Sequence, residues 1–157
     1  MLSQLQPYLT FENIFIITNI IVIPFWLMLI FIPNSRFTQI LVNSIIVPLI
    51  FGTIYCYVIY EIILLEEPVL EIFKIYLSLD NLYTAFAVES FLLIFWLHFV
   101  ALNLFLGSWT SRDAFKNSIK RKFVFIPLIL IYISGPIGLV FYWIIRIFVA
   151  KKISLHD

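Results

Sequence analysis

Four stretches of this chain contain no Asp, Glu, Lys or Arg: residues 13–35, 37–60, 90–111 and 123–145. Each exceeds the ~20 residues an α-helix needs to cross a hydrocarbon core ~30 Å thick. Lipid offers no partner for a backbone amide, so runs this apolar cross it only as helices. Barrel strands would show as ~10-residue alternating segments, and none occur. Composition agrees. The chain is 63% hydrophobic and 12% charged, against ~25% charged in soluble domains. The expected fold is therefore all-α: an integral membrane four-helix bundle forming a single transmembrane domain over 1–157. Its helices are placed at about 12–32, 38–64, 82–107 and 123–149.

No basic residue precedes Arg36, and the first window is too long for a signal-peptide core, so it is read as a span. Gly107 reads as a stop for the third helix. Thr110-Ser111-Arg112-Asp113 then reads as a capping box opening a short basic surface helix, about 111–121. Between the second and third windows lies an acidic segment with Glu61, Glu66, Glu67, Glu71 and Asp80. Pro68 can occupy a first helical turn, and Val69, Ile72, Phe73 and Tyr76 recur at helical spacing. This predicts an interfacial amphipathic helix over about 68–79. With four crossings, the basic loop 108–122 faces the cytoplasm or stroma by the positive-inside rule. Both termini face the other side.

Polar groups inside apolar windows mark candidate sites or helix–helix contacts. Glu89, Trp96 and Asn103 are spaced by seven, so they share a face of the third helix, extended by Gly107 and Thr110. His98 lies ~140° around the wheel from Asn103. Glu61, Glu89 and Arg146 sit near span ends. In the four-crossing topology they share a side, which permits an Arg146–Glu61 or Arg146–Glu89 pair. In the last window Gly135, Leu139, Tyr142 and Arg146 form one stripe, and Gly135 and Gly138 flank Pro136, allowing close approach of a backbone or flat ligand. His98 and Asp113 are the candidate acid–base groups, Asp113 also reading as the helix cap. Trp96, Asn103, Gly135, Gly138 and Tyr142 are the candidate ligand contacts. No Cys/His spacing for a metal is present, and Cys56 is alone. A net charge of +1 does not point to nucleic acid.

Pro24-Phe25-Trp26-Leu27, the run Trp96–Trp109 with Asp113 after it, Pro127, and Gly135-Pro136-Ile137-Gly138-Leu139 follow one another in a pattern that resembles the abscisic acid-deficient-4-like family. These are small four-helix membrane proteins whose plant members are required to form neoxanthin from violaxanthin. The family pattern has an aspartate at the position of Asn103 and an arginine at Ser108, so two charges are missing here. The resemblance implies a thylakoid or bacterial plasma-membrane protein that binds a carotenoid or xanthophyll, or supports an epoxide-to-allene isomerisation. That reaction shuffles protons and suits His98 and Asp113. No cofactor beyond a bound carotenoid is expected. The expected partners are the bilayer, a carotenoid or other long apolar ligand, and a larger membrane complex. The alternative function is a non-enzymatic accessory subunit of such a complex, photosynthetic in type.

Overall fold

The structure, a computed structural model, describes residues 10–44, 46–64 and 69–154. Among these the chain is helical throughout, with no strand. The helices are α1 (Phe11–Phe31), α2 (Arg36–Leu41), α3 (Ile46–Leu64), a 3-10 helix (Val69–Tyr76), α4 (Leu79–Phe86), α5 (Glu89–Lys116), α6 (Arg121–Ser134) and α7 (Pro136–Ala150). By length and composition α1 and α5 can each cross a membrane.

Several expected boundaries move, each for a local reason. The second helix begins earlier and breaks. Ser35 caps α2, its Oγ accepting from the Thr38 amide at 3.1 Å, while the Thr38 hydroxyl donates to the Ile32 carbonyl at 2.7 Å. Asn43 and Ser44 then interrupt the run; the Ser44 hydroxyl donates to the Ile40 carbonyl, the backbone competition that weakens Ser and Asn in helices. The segment expected to be one interfacial helix is a 3-10 helix followed by α4, which Ser78 caps through the Asn81 amide. Pro68 lies outside the described residues. Phe73, Tyr76, Leu77, Leu79 and Tyr83 are all strongly exposed.

The third helix does not stop at Gly107. α5 runs 28 residues, about 42 Å, to Lys116. Asp113 therefore lies in the last turn of α5 and opens no new helix. Gly107 instead lets the Trp26 indole lie against the helix, where a Cβ would collide with the ring. The expected fourth helix is two helices. Gly135 takes φ 54° and ψ −82°, ends α6 and begins α7, with Pro136 at the first helical position. Their 14 and 15 residues rise about 21 and 22 Å, each short of a ~30 Å core.

The chain divides into two compact units, Met1–Ile20 with Pro48–Phe99, and Ile21–Val47 with Val100–Asp157. In the first, Ile14 of α1, Val58 and Ile62 of α3, and Leu93 and Leu97 of α5 form the core. Ser90, Leu93, Leu97 and Val100 are buried on α5 at alternating spacings of three and four, one helical face. In the second unit burial widens around α5. Asn103, Leu104, Gly107, Ser108, Thr110, Ser111, Asp113 and Ala114 are all buried, so the polar residues of the chain's longest helix turn inward there.

Candidate functional site

Each unit holds an arrangement with chemical content. The second unit is built on the reversal at Gly135. Seven residues of straight helix would put Gly138 ~10 Å along the axis from Ile131. Here the Gly138 Cα lies so close to the Ile131 backbone that a Cβ would overlap the Ile131 amide nitrogen. α7 therefore folds back against α6. The buried residues of α7 are Gly138, Tyr142 and Arg146; of the expected stripe Gly135 lies at the turn before the helix and Leu139 is half-buried.

That stripe delivers Tyr142 and Arg146 to Asp113. Both are 0% exposed and Asp113 is 8% exposed. The Tyr142 hydroxyl donates to Asp113 Oδ2 at 2.5 Å, and Arg146 Nε donates to the same oxygen at 2.8 Å. Arg146 Nη2 reaches Oδ1 at 3.4 Å, and Nη1 donates to the Lys152 carbonyl at 3.2 Å. The guanidinium also lies over the Trp143 ring, 4.8 Å from its centroid, and Trp109 stands edge-on to Tyr142 at 5.9 Å. A buried charge is tolerated only when paired and hydrogen-bonded, and this one is both. The expected partners of Arg146, Glu61 and Glu89, are not its partners; the fold-back brings it to Asp113 instead.

Two further polar groups line the second unit. The Ser108 hydroxyl donates to Asn43 Oδ1 at 2.6 Å. The Asn103 carboxamide packs on Gly135, where its oxygen occupies the space a Cβ would need. Among the described residues the Asn103 Nδ2, Asn43 Nδ2 and Thr110 Oγ1 are buried without a hydrogen-bond partner. Asn103 is thus buried at the break in the fourth run, its nitrogen without a hydrogen-bond partner among the described residues.

The first unit holds a groove of about 410 Å³, lined by Phe11, Glu12, Phe15, Glu89, Leu92, Leu93 and Trp96. α1 and α5 present these residues to each other. The Trp96 indole N–H donates to Asn19 Oδ1 at 3.2 Å, which fixes the ring, and the Asn19 amide is itself held by the Phe15 carbonyl at 2.8 Å. Phe15 and Phe99 flank the indole at 5.5 Å. Glu89 is exposed, and neither it nor Glu12 forms an ion pair among the described residues. Two carboxylates thus edge an aromatic slot of the size of a small-ligand pocket, ~300–1,000 Å³.

His98 is exposed and meets Tyr55, with ring centroids 6.5 Å apart. It belongs to the first unit and Asp113 to the second. On α5 fifteen residues separate them, about 22 Å of axial rise. The two expected acid–base groups are not brought together. Glu61, half-buried on α3, interacts with Tyr57 one turn away. Sequence reasoning passed over Glu12, Asn19 and Asn43. The two asparagines carried a usable signal, since each is an amide in an apolar window.

No curated protein and no solved structure matches the chain. One family model does, over residues 13–142, a range that includes Asp113, Tyr142 and most of the groove but not Phe11, Glu12 or Arg146. The chain belongs to the ABA4-like family, described as ABA DEFICIENT 4-like.

Proposed function

We propose that this protein is a multi-pass membrane protein that binds a xanthophyll, with the hydroxylated end ring in the groove of Phe11, Phe15 and Trp96. The observation that carries this is the pairing of a ring-sized aromatic slot with two carboxylates, Glu12 and Glu89, on its edge. The aromatic walls match an apolar ring, and a carboxylate accepts a hydroxyl proton in a charge-assisted bond. The polyene then leaves along the exposed apolar face of α1, which carries Phe15, Ile16 and Ile20. Membership of the ABA4-like family supports the substrate class, a role related to neoxanthin synthesis. Asp113 supports binding over turnover. Its carboxylate is already engaged by Tyr142 and Arg146, both fully buried, leaving no open acid–base pair around it.

The test is pigment retained through gentle purification after loading with a dihydroxylated carotenoid or with β-carotene. The hydroxylated pigment should be retained in at least tenfold excess, and Glu12→Ala/Glu89→Ala should erase the preference, since a charged hydrogen bond contributes about 1.5–3 kcal/mol. Equal retention of both pigments would sink the reading.

The proposed topology has three crossings, α1, α3 and α5, followed by a hairpin of α6 and α7 that enters and returns. A face this apolar is a poor match to water and a good one to lipid. Because Arg146 pairs with Asp113, the chain after α7 returns to the side where α5 ends. Nine of the ten Lys and Arg residues, all but Lys74, belong to the second unit, whereas seven of the nine acids belong to the first. The positive-inside rule then places loop 108–122 and the C-terminal tail together in the cytoplasm or stroma, with the N-terminus opposite. This replaces the expectation that both termini share a side. With Cys56 first replaced by serine, Asn117→Cys and Ile153→Cys should both be shielded from an impermeant thiol reagent in intact cells, and Asp80→Cys labelled. Labelling at only one of 117 and 153 would show that the fourth run crosses after all.

A further inference from the structure

A second cavity, in the second unit, has no part in the reading above. It measures about 320 Å³ and opens between the end of α1, the last turns of α5 and the start of α6. Leu29, Phe31, Phe115, Val124, Phe125 and Leu128 give it apolar walls. Its polar edge is made by Arg121, by Asn34 and Ser35, and by Ser111. Ser111 is 7% exposed and its side chain forms no hydrogen bond among the described residues, so its hydroxyl opens onto the cavity without a partner.

The edge is also electropositive from two sources. Arg121 opens α6 between Lys120 and Lys122, all three exposed. Arg121 spends Nε and Nη2 on the Ile30 carbonyl, at 3.2 and 2.7 Å, which holds the guanidinium at the mouth and leaves Nη1 unused. The N-cap residue Lys120 supplies no side-chain acceptor for the first turn of α6. The Phe123 amide turns back to the Lys120 carbonyl at 2.9 Å, and the amides of Arg121 and Lys122 remain open to an anion, in the positive field of the helix end.

We propose that this cavity binds one anionic phospholipid, with the phosphate on Lys120, Lys122 and the first amides of α6 and an acyl chain between Phe115, Phe125 and Leu128. A free phosphate would use the charged edge and leave the apolar walls bare. A neutral lipid would fill the walls and leave the cations and open amides unmatched. Only an anionic lipid satisfies both halves of the site. Phe115 is 69% exposed and Phe125 40%, so the mouth opens along a surface that lipid can reach. The inference rests on the membrane placement proposed above, and it is independent of the xanthophyll groove, which lies in the other unit.

The experiment is the melting temperature of the purified full chain in mild detergent, titrated with phosphatidylglycerol, phosphatidylcholine or inorganic phosphate at matched ionic strength. Phosphatidylglycerol should raise it well above the shift given by the other two. In native mass spectra one phosphatidylglycerol should stay bound per chain. Lys120→Gln/Lys122→Gln, on an exposed surface and safe for folding, should weaken that binding at least tenfold. Ser111→Leu should fill the cavity and remove it. If Ser111→Leu does not fold, Ala114→Val narrows the same wall by less and should weaken retention partially. Equal shifts with phosphatidylcholine, or the same shift with inorganic phosphate, would overturn the proposal. So would retention that survives the lysine variant. Loss in the lysine variant with full retention in a folded cavity variant would mean surface adsorption and would overturn it equally.

Discussion

Arg146→Met is expected to destabilise the protein by about 3–5 kcal/mol, because it strands the Asp113 carboxylate in a site where its other partner is a single tyrosine hydroxyl. The change keeps most of the side-chain volume, so little of the loss comes from a cavity. Asp113→Asn should do comparable damage by leaving the fully buried guanidinium without its counter-charge. Tyr142→Phe should cost less, about 1–2 kcal/mol, since it removes one hydrogen bond and leaves the ion pair. The decisive comparison is the triple change Asp113→Leu/Tyr142→Phe/Arg146→Met. Replacing a whole buried ionic group by apolar residues is often neutral or better. The triple variant should therefore recover most of what the single Arg146→Met loses, measured by denaturation in one detergent. A single variant within ~1 kcal/mol of wild type would mean that the pair does not hold α7 to α5.

Gly138→Ala should be as severe, although it adds one methyl group. The new Cβ would overlap the backbone of Ile131, and backbone cannot swing aside as a flexible side chain can. The α6–α7 hairpin must open to admit it, which pulls Tyr142 and Arg146 from Asp113. Gly135→Ala meets a different obstacle: φ 54° with ψ −82° excludes L residues, and the Cβ would press on the Asn103 carboxamide. Each should lower the yield of folded protein several-fold. Gly52→Ala is the control. It lies inside α3 with nothing near its would-be Cβ, so alanine should be neutral or stabilise by up to ~1 kcal/mol. If Gly138→Ala melts with the control, the close approach of the two helices is wrong.

Much of this architecture was legible in the residues, and the limits of that legibility are physical. Windows without charge located every long helix, because burying backbone in an apolar run leaves few alternatives to helix. Of the repeat Gly135, Leu139, Tyr142 and Arg146, Tyr142 and Arg146 mark the buried face of α7, since spacing along one helix is a local property. Boundaries were less legible. Gly107 and Thr110-Ser111-Arg112-Asp113 have the composition of a stop and a cap. In the structure Gly107 receives Trp26 and Asp113 receives Arg146, so both residues are selected by partners distant in sequence. His98 drew attention as a rare titratable group in an apolar run, yet it faces outward beside Tyr55.

The sequence by itself determined that the chain is helical, where its apolar runs lie and which residues share a face, because 3.6-residue periodicity and side-chain polarity act within one segment. It also set the separation of acids from bases along the chain. Only the tertiary structure decided that the fourth run turns back at Gly135. Gly-Pro suits a kinked continuous helix and a reversal equally well. What selects between them is non-local: the bare Cα of Gly138 against Ile131, the Asn103 carboxamide filling the corner, and the need of a buried Arg146 for a counter-charge that, after the turn, is Asp113.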